Sequence, residues 1–146
     1  MDDMALLRFE HRSIASMARG LAAMASQPMP ANPLELFRVR GELRKALLVH
    51  LNREDWVVYP GLLASSRPEV RAHAKRLAAG AAAFSSAFRD YGRQWTTVSI
   101  AADWPGFRKE TSAILARLQH RIHVEDHELY PLVGAAGPAP PQRRAG

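Results

Sequence analysis

Two stretches of the chain hold residue types that could do chemistry together. One runs from His50 to Pro60 and the other from Arg121 to Pro131. Aligned on their Tyr-Pro ends, Glu54 falls on Glu125, Asp55 on Asp126, Tyr59 on Tyr130 and Pro60 on Pro131. On a helix, His50 and Glu54 are one turn apart and share a face. The repeated cadence predicts two similar helices, each aiming a carboxylate at one shared site. The copies differ at one position that matters: Arg121 stands where the first copy has His50.

The 146 residues include no cysteine. That excludes disulfides, thiolate metal sites and cysteine nucleophiles together, so any metal must be held by nitrogen and oxygen. Imidazole and carboxylate suit iron, manganese and zinc. The net charge of +6 comes largely from arginines scattered between Arg8 and Arg144, accompanied by acids, with no Lys/Arg run longer than two. This pattern reads as a solvated basic surface, and nucleic acid is not expected as a partner. An apolar content of 47% fits one globular domain with a real core. No apolar run approaches a membrane span, and the acidic Met-Asp-Asp-Met start lacks the pattern of a signal peptide. The expected location is the cytoplasm.

The elements that must position the motifs are helices. Residues 3–26 form a first stretch, with Met4, Leu7, His11, Ile14, Ala18 and Leu21 at spacings of three and four. Glu10 and His11 both lie near its buried stripe, and the pattern does not decide which points inward. Residues 33–63 follow an Asn32-Pro33 start, with Leu36, Leu43, Leu47, His50, Glu54 and Val57 inward. Pro60-Gly61 should kink or end that helix. Residues 68–92 form the third, after a Ser66 cap, with Val70, His73, Leu77, Ala81, Phe84, Phe88 and Tyr91 inward. A connection over 93–103 leads to the fourth, capped by Asp103 and running to about residue 134. Its stripe is Phe107, Thr111, Ile114, Leu118, Arg121 and Glu125. The expected fold is all-α, an up-down-up-down four-helix bundle over residues 1–134. The Pro/Ala/Arg tail, 135–146, is expected to be disordered.

His11, His50, Glu54, His73 and Glu125 thus fall on predicted buried stripes. An ionised carboxylate in a core must shift its pKa, find a cation or bind a metal. Each residue also has a plainer role. A single histidine on a helix face is usually hydrogen-bonded or partly exposed. His120, His123 and His127 cannot all face inward, and most of them belong to the surface. Tyr59 and Tyr130 read as amphipathic caps on a bundle end.

The chain resembles the hemerythrin-like, or HHE cation-binding, family. The resemblance rests on Glu-His at 10–11, His50 with Glu54-Asp55 and Tyr59-Pro60, His73, and Glu125-Asp126 with Tyr130-Pro131. It covers the chain to about residue 134. It implies a four-helix bundle with a non-haem di-iron centre, and roles in binding or sensing oxygen, nitric oxide or iron. His11, His50 and His73 would be terminal ligands; Glu54 and Glu125 would bridge. Two positions depart from the family pattern. Arg121 replaces the histidine one turn before the second glutamate, where His120 could substitute, and Leu77 replaces a second histidine on the third helix. The expected cofactor is therefore non-haem iron, one or two atoms, with a small diatomic ligand as a possible partner. The alternative is a metal-free bundle acting as a regulatory or interaction module, with Arg121 replacing the metal charge. No general acid or base stands apart from the candidate ligands, so no catalysis is assigned. A protein partner or a second copy remains open.

Overall fold

The computed structural model describes residues 2–136, and every element among them is helical. The elements are α1 (Asp3–Ala25), α2 (Pro33–Val57), α3 (Tyr59–Leu63), α4 (Pro68–Gln94), α5 (Thr97–Ala102), α6 (Trp104–Val124), a π-helical turn (Glu125–Leu129) and α7 (Tyr130–Ala135). Helix α1 packs on α2 and α6, while α4 packs on α3 and α6. Of the tail expected to be disordered, Ala135 closes α7, and residues 137–146 lie outside the described residues. No described helix is long and apolar enough to cross a membrane.

The helix starts follow from local chemistry. The Asp2 carboxylate accepts from the Ala5 amide at 2.7 Å, and Asn32 accepts from Leu34 and Glu35 ahead of the Pro33 turn. Asp103 caps α6 by accepting from Gly106. The expected Ser66 cap is absent: the residue before α4 is Arg67, with no side-chain cap, and Ser65 takes the Arg67 amide instead. The expected connection over 93–103 contains α5, started by a capping box between Thr96 and Ser99.

Both Tyr-Pro pairs interrupt a long helix, because proline cannot donate the next backbone bond and its ring crowds the preceding turn. Near Pro60 the helix breaks at Val58 and restarts as α3. Near Pro131 the chain instead widens into the π turn, in which the Tyr130 amide donates to the Glu125 carbonyl.

Two apolar clusters fill the interior. One holds Ile14, Leu21, Leu43, Phe84, Trp95, Phe107 and Leu118; the other holds Leu7, Val58, Leu62, Ala74, Leu77 and Leu129. A polar layer separates them. On α1 it is His11, between Leu7 and Ile14. On α2 it is His50 and Glu54, between Leu47 and Val58. On α6 and the π turn it is Arg121 and Glu125, between Leu118 and Leu129. Helix α4 crosses the same level between Leu77 and Phe84, where it carries Gly80 and Ala81 and no polar side chain.

Phe107 is fully buried against the rings of Tyr91, Trp95 and Trp104. Phe107→Ala is expected to cost about 3–5 kcal/mol in denaturant unfolding. Because the ring lies in the cluster remote from Leu7 and Leu129, the metal content of the folded variant should equal that of the parent.

Candidate metal centre

Four buried side chains, His11, His50, Glu54 and Glu125, offer one ligand atom each within 4.8 Å of one another. Their environment fixes which atoms face inward. His11 Nδ1 donates to Asp126 at 2.9 Å, and His50 Nδ1 donates to Glu10 at 3.2 Å. Arg53 holds Glu10 in turn, its Nε donating to both carboxylate oxygens at 3.2 Å. A carboxylate on the outer nitrogen fixes the ring and turns the other nitrogen toward a metal. The two inward Nε2 atoms lie 3.0 Å apart, and Glu125 Oε1 is 2.8 Å from one and 3.0 Å from the other. With the ring protons committed outward, three electron-pair donors converge on one point. Only protons or a cation can hold them there.

Glu54 completes the set. Its Oε1 lies 3.4 Å from His50 Nε2 and is buried with no hydrogen-bond partner, while its Oε2 accepts from the Tyr130 hydroxyl at 3.0 Å. Two imidazole nitrogens and two carboxylate oxygens suit a first-row transition metal. An ion about 2.0–2.2 Å from each donor needs donor separations of about 3 Å or a little more. The His11, His50 and Glu125 donors meet this at 2.8–3.0 Å, and Glu54 Oε1 meets it toward His50 at 3.4 Å, within a group that spans up to 4.8 Å. The residues therefore fit one metal ion.

The electrostatics show how the layer is balanced without one. Burial first, and the facing Glu125 second, push the Glu54 carboxyl up to about 10, so it carries a proton at neutral pH. Burial also opposes charge on Glu125, but hydrogen bonds from His11 and His50 outweigh it and hold that carboxyl below the usual range. Burial disfavours charge on His11, yet Glu125 and then Asp126 raise its pKa above the ordinary imidazole value. The Tyr130 phenol is pushed upward by burial and then by Glu54, and stays protonated.

Of the residues the sequence marked, His11, His50, Glu54 and Glu125 come together. The uncertainty between Glu10 and His11 is resolved with both in use, His11 inward and Glu10 behind His50. The structure does not bring His73 to the group. The buried face of α4 is centred on Ala74, whose methyl admits close packing, and this leaves His73 half-buried beside Glu128 at 3.3 Å. His120 is exposed, as are His123 and His127, whose rings stack on one another.

Tyr130 was read as a cap and instead reaches into the layer. Residues five apart on an α-helix face different ways. The π turn lets Glu125 and Tyr130 both point inward, so that the Tyr130 hydroxyl lies 3.1 Å from His11 Nε2 and 3.5 Å from Glu125 Oε1. Pro131, directly after Tyr130, was the sequence signal for such a break.

A family model, the hemerythrin HHE cation-binding domain, matches residues 2–133. The chain belongs to the hemerythrin HHE cation-binding family. Neither a curated protein nor a solved structure matches it. A buried His/Glu group at the level where its helices converge accords with a cation-binding member.

The raised pKa values of Glu54 and His11 carry a sign. The proton on Glu54 stabilises the metal-free fold fully below its ordinary value, and that contribution fades as pH rises toward about 10. Melts of the metal-free protein should fall between about pH 6 and about pH 9. Metal uptake must displace the Glu54 proton and any proton on the inward imidazole nitrogens, so adding ferrous iron to weakly buffered protein should release at least one proton per ion. Uptake without proton release would contradict this account of Glu54.

Proposed function

We propose that the protein is a non-haem iron-binding member of its family, with one ion held by His11, His50, Glu54 and Glu125. Its long helices α1, α2, α4 and α6 would form an up-down-up-down bundle over residues 1–134. The observation that carries the reading is the convergence of His11 Nε2, His50 Nε2 and Glu125 Oε1 within 3.0 Å, beside the unpartnered Glu54 Oε1. Iron there would supply one-electron chemistry and an open position for a small ligand. Glu10 and Asp126 would keep the two imidazoles turned inward, and the apolar clusters would keep water out. A cavity of about 10 Å³ borders His11, His50, Arg121 and Glu125, room for one water-sized molecule. Binding or sensing of oxygen, nitric oxide or iron itself in the cytoplasm is the role this supports.

The alternative, a metal-free regulatory or interaction module, draws on Arg121, buried beside Glu125. That reading leaves Glu54 Oε1 buried without a partner, because the guanidinium's donors do not reach it. The metal reading accounts for more of the layer.

Elemental analysis after anaerobic reconstitution with ferrous iron should give one iron per chain. His50→Ala and Glu54→Ala should abolish it. No stoichiometric transition metal in the parent would overturn the reading. Asp126→Ala leaves the four donors in place but frees the His11 ring, and should weaken metal affinity by about 10–100-fold in a chelator competition.

A further inference from the structure

The two oxygens of Glu125 face different groups. Oε1 faces the imidazoles of His11 and His50, whereas Oε2 lies 3.4 Å from Arg121 Nη2. Arg121 is buried, its guanidinium beside the Glu125 oxygen that does not face the two imidazoles. The same Nη2 lies 3.5 Å from the Leu77 carbonyl of α4. A Cβ built on Gly80 would stand 2.9 Å from Arg121 Nη1, closer than real Cβ contacts come. Glycine inside a long helix is unfavourable relative to alanine, so Gly80 needs a reason, and the guanidinium lying against it is one. Helix α4, which sends no polar side chain into the layer, contributes a seat instead.

We infer that Arg121, seated on Gly80, is a built-in cation of the centre, so that Glu125 bridges one metal ion and one guanidinium and the site takes a single ion. This rests on the metal-binding reading above. A guanidinium has no lone pair and does not lose its proton in proteins, so it fills a cation's place permanently and repels a second ion. It also opposes the first. Removing its charge should weaken the metal-free fold and strengthen metal binding together, because Glu125 then loses a fixed cation that competes with the metal for its charge.

The test compares the parent with Arg121→Gln, Arg121→Lys and Gly80→Ala, using ferrous iron and, as a redox-inert control, zinc. Metal per chain, affinity by chelator competition and the melting of the metal-free proteins are measured. The parent should bind one ion. Arg121→Gln should bind metal about tenfold more tightly or better, with a lower melting temperature when metal-free. Arg121→Lys keeps the charge and should stay near the parent. Gly80→Ala displaces only the flexible end of a side chain, so the fold survives. It should shift affinity the same way as Arg121→Gln, although alanine is the better helix former. A purely structural arginine would lower the melting temperature and leave affinity alone, and that result overturns the inference. So do two ions per parent chain, or a Gly80→Ala protein with unchanged affinity. If the parent takes up no metal but Arg121→Gln does, the proposed function and the single-ion claim both fail, and only the opposition of Arg121 to metal stands. If neither takes up metal, both fall.

Discussion

Two carboxylates buried in a helical interior must be given positive charge, and much of this molecule is arranged around that requirement. Glu54 is 1% exposed and Glu125 4%. Apolar clusters on both sides of them exclude water, which makes an unpaired charge expensive and a paired one strong. Desolvation and the facing charge leave Glu54 protonated, while two imidazoles keep Glu125 ionised. The same groups are the ones that could hold a metal in place of the protons. Stability and binding are therefore drawn from one set of contacts, and a change that improves the metal-free layer works against the loaded one.

Orientation is supplied from outside the layer. Glu10 and Asp126 sit at its edge and fix the outer nitrogens of His50 and His11. Arg53 holds Glu10 from the solvent side, where a charged pair is tolerated. The π turn has a comparable effect through the backbone. It lets Glu125 and Tyr130, five residues apart, address one point, so the Tyr130 hydroxyl can donate to Glu54. Such turns are rare and gather at functional sites. Here Pro131 gives the local cause and the Tyr130 contact gives the consequence.

Much of this was legible in the sequence, and the rest was hidden for identifiable reasons. Spacings of three and four, with Asp2, Asn32 and Asp103 as caps, mark the long helices well. The one-turn spacing of His50 and Glu54 needs no tertiary information, and the duplicated Tyr-Pro cadence leads from Glu54 to Glu125. His73 was misplaced because an Ala-rich helix has a weak stripe: Ala74 and His73 compete for the inward position, and packing distance decides between them. Tyr130 was missed because any fixed α-helical period loses phase across a π turn. Gly80 could not be read as a seat, since its meaning depends on an arginine 41 positions later on another helix.

The difference between the two motif copies follows from the same charge constraint. One turn before each glutamate, the first copy has a histidine and the second an arginine. Imidazole brings a lone pair without a fixed charge, whereas guanidinium brings a fixed charge without a lone pair. Histidine at both positions would make the layer richer in donors and poorer in cations, and would leave its two carboxylates to be balanced by protons or metal alone. With one of each, the α1 and α2 side supplies donors, and the side where α4 meets α6 supplies charge. That also explains why α4 carries no ligand at this level. A histidine projecting from it would compete for the space the guanidinium occupies, and the glycine at 80 keeps that space open.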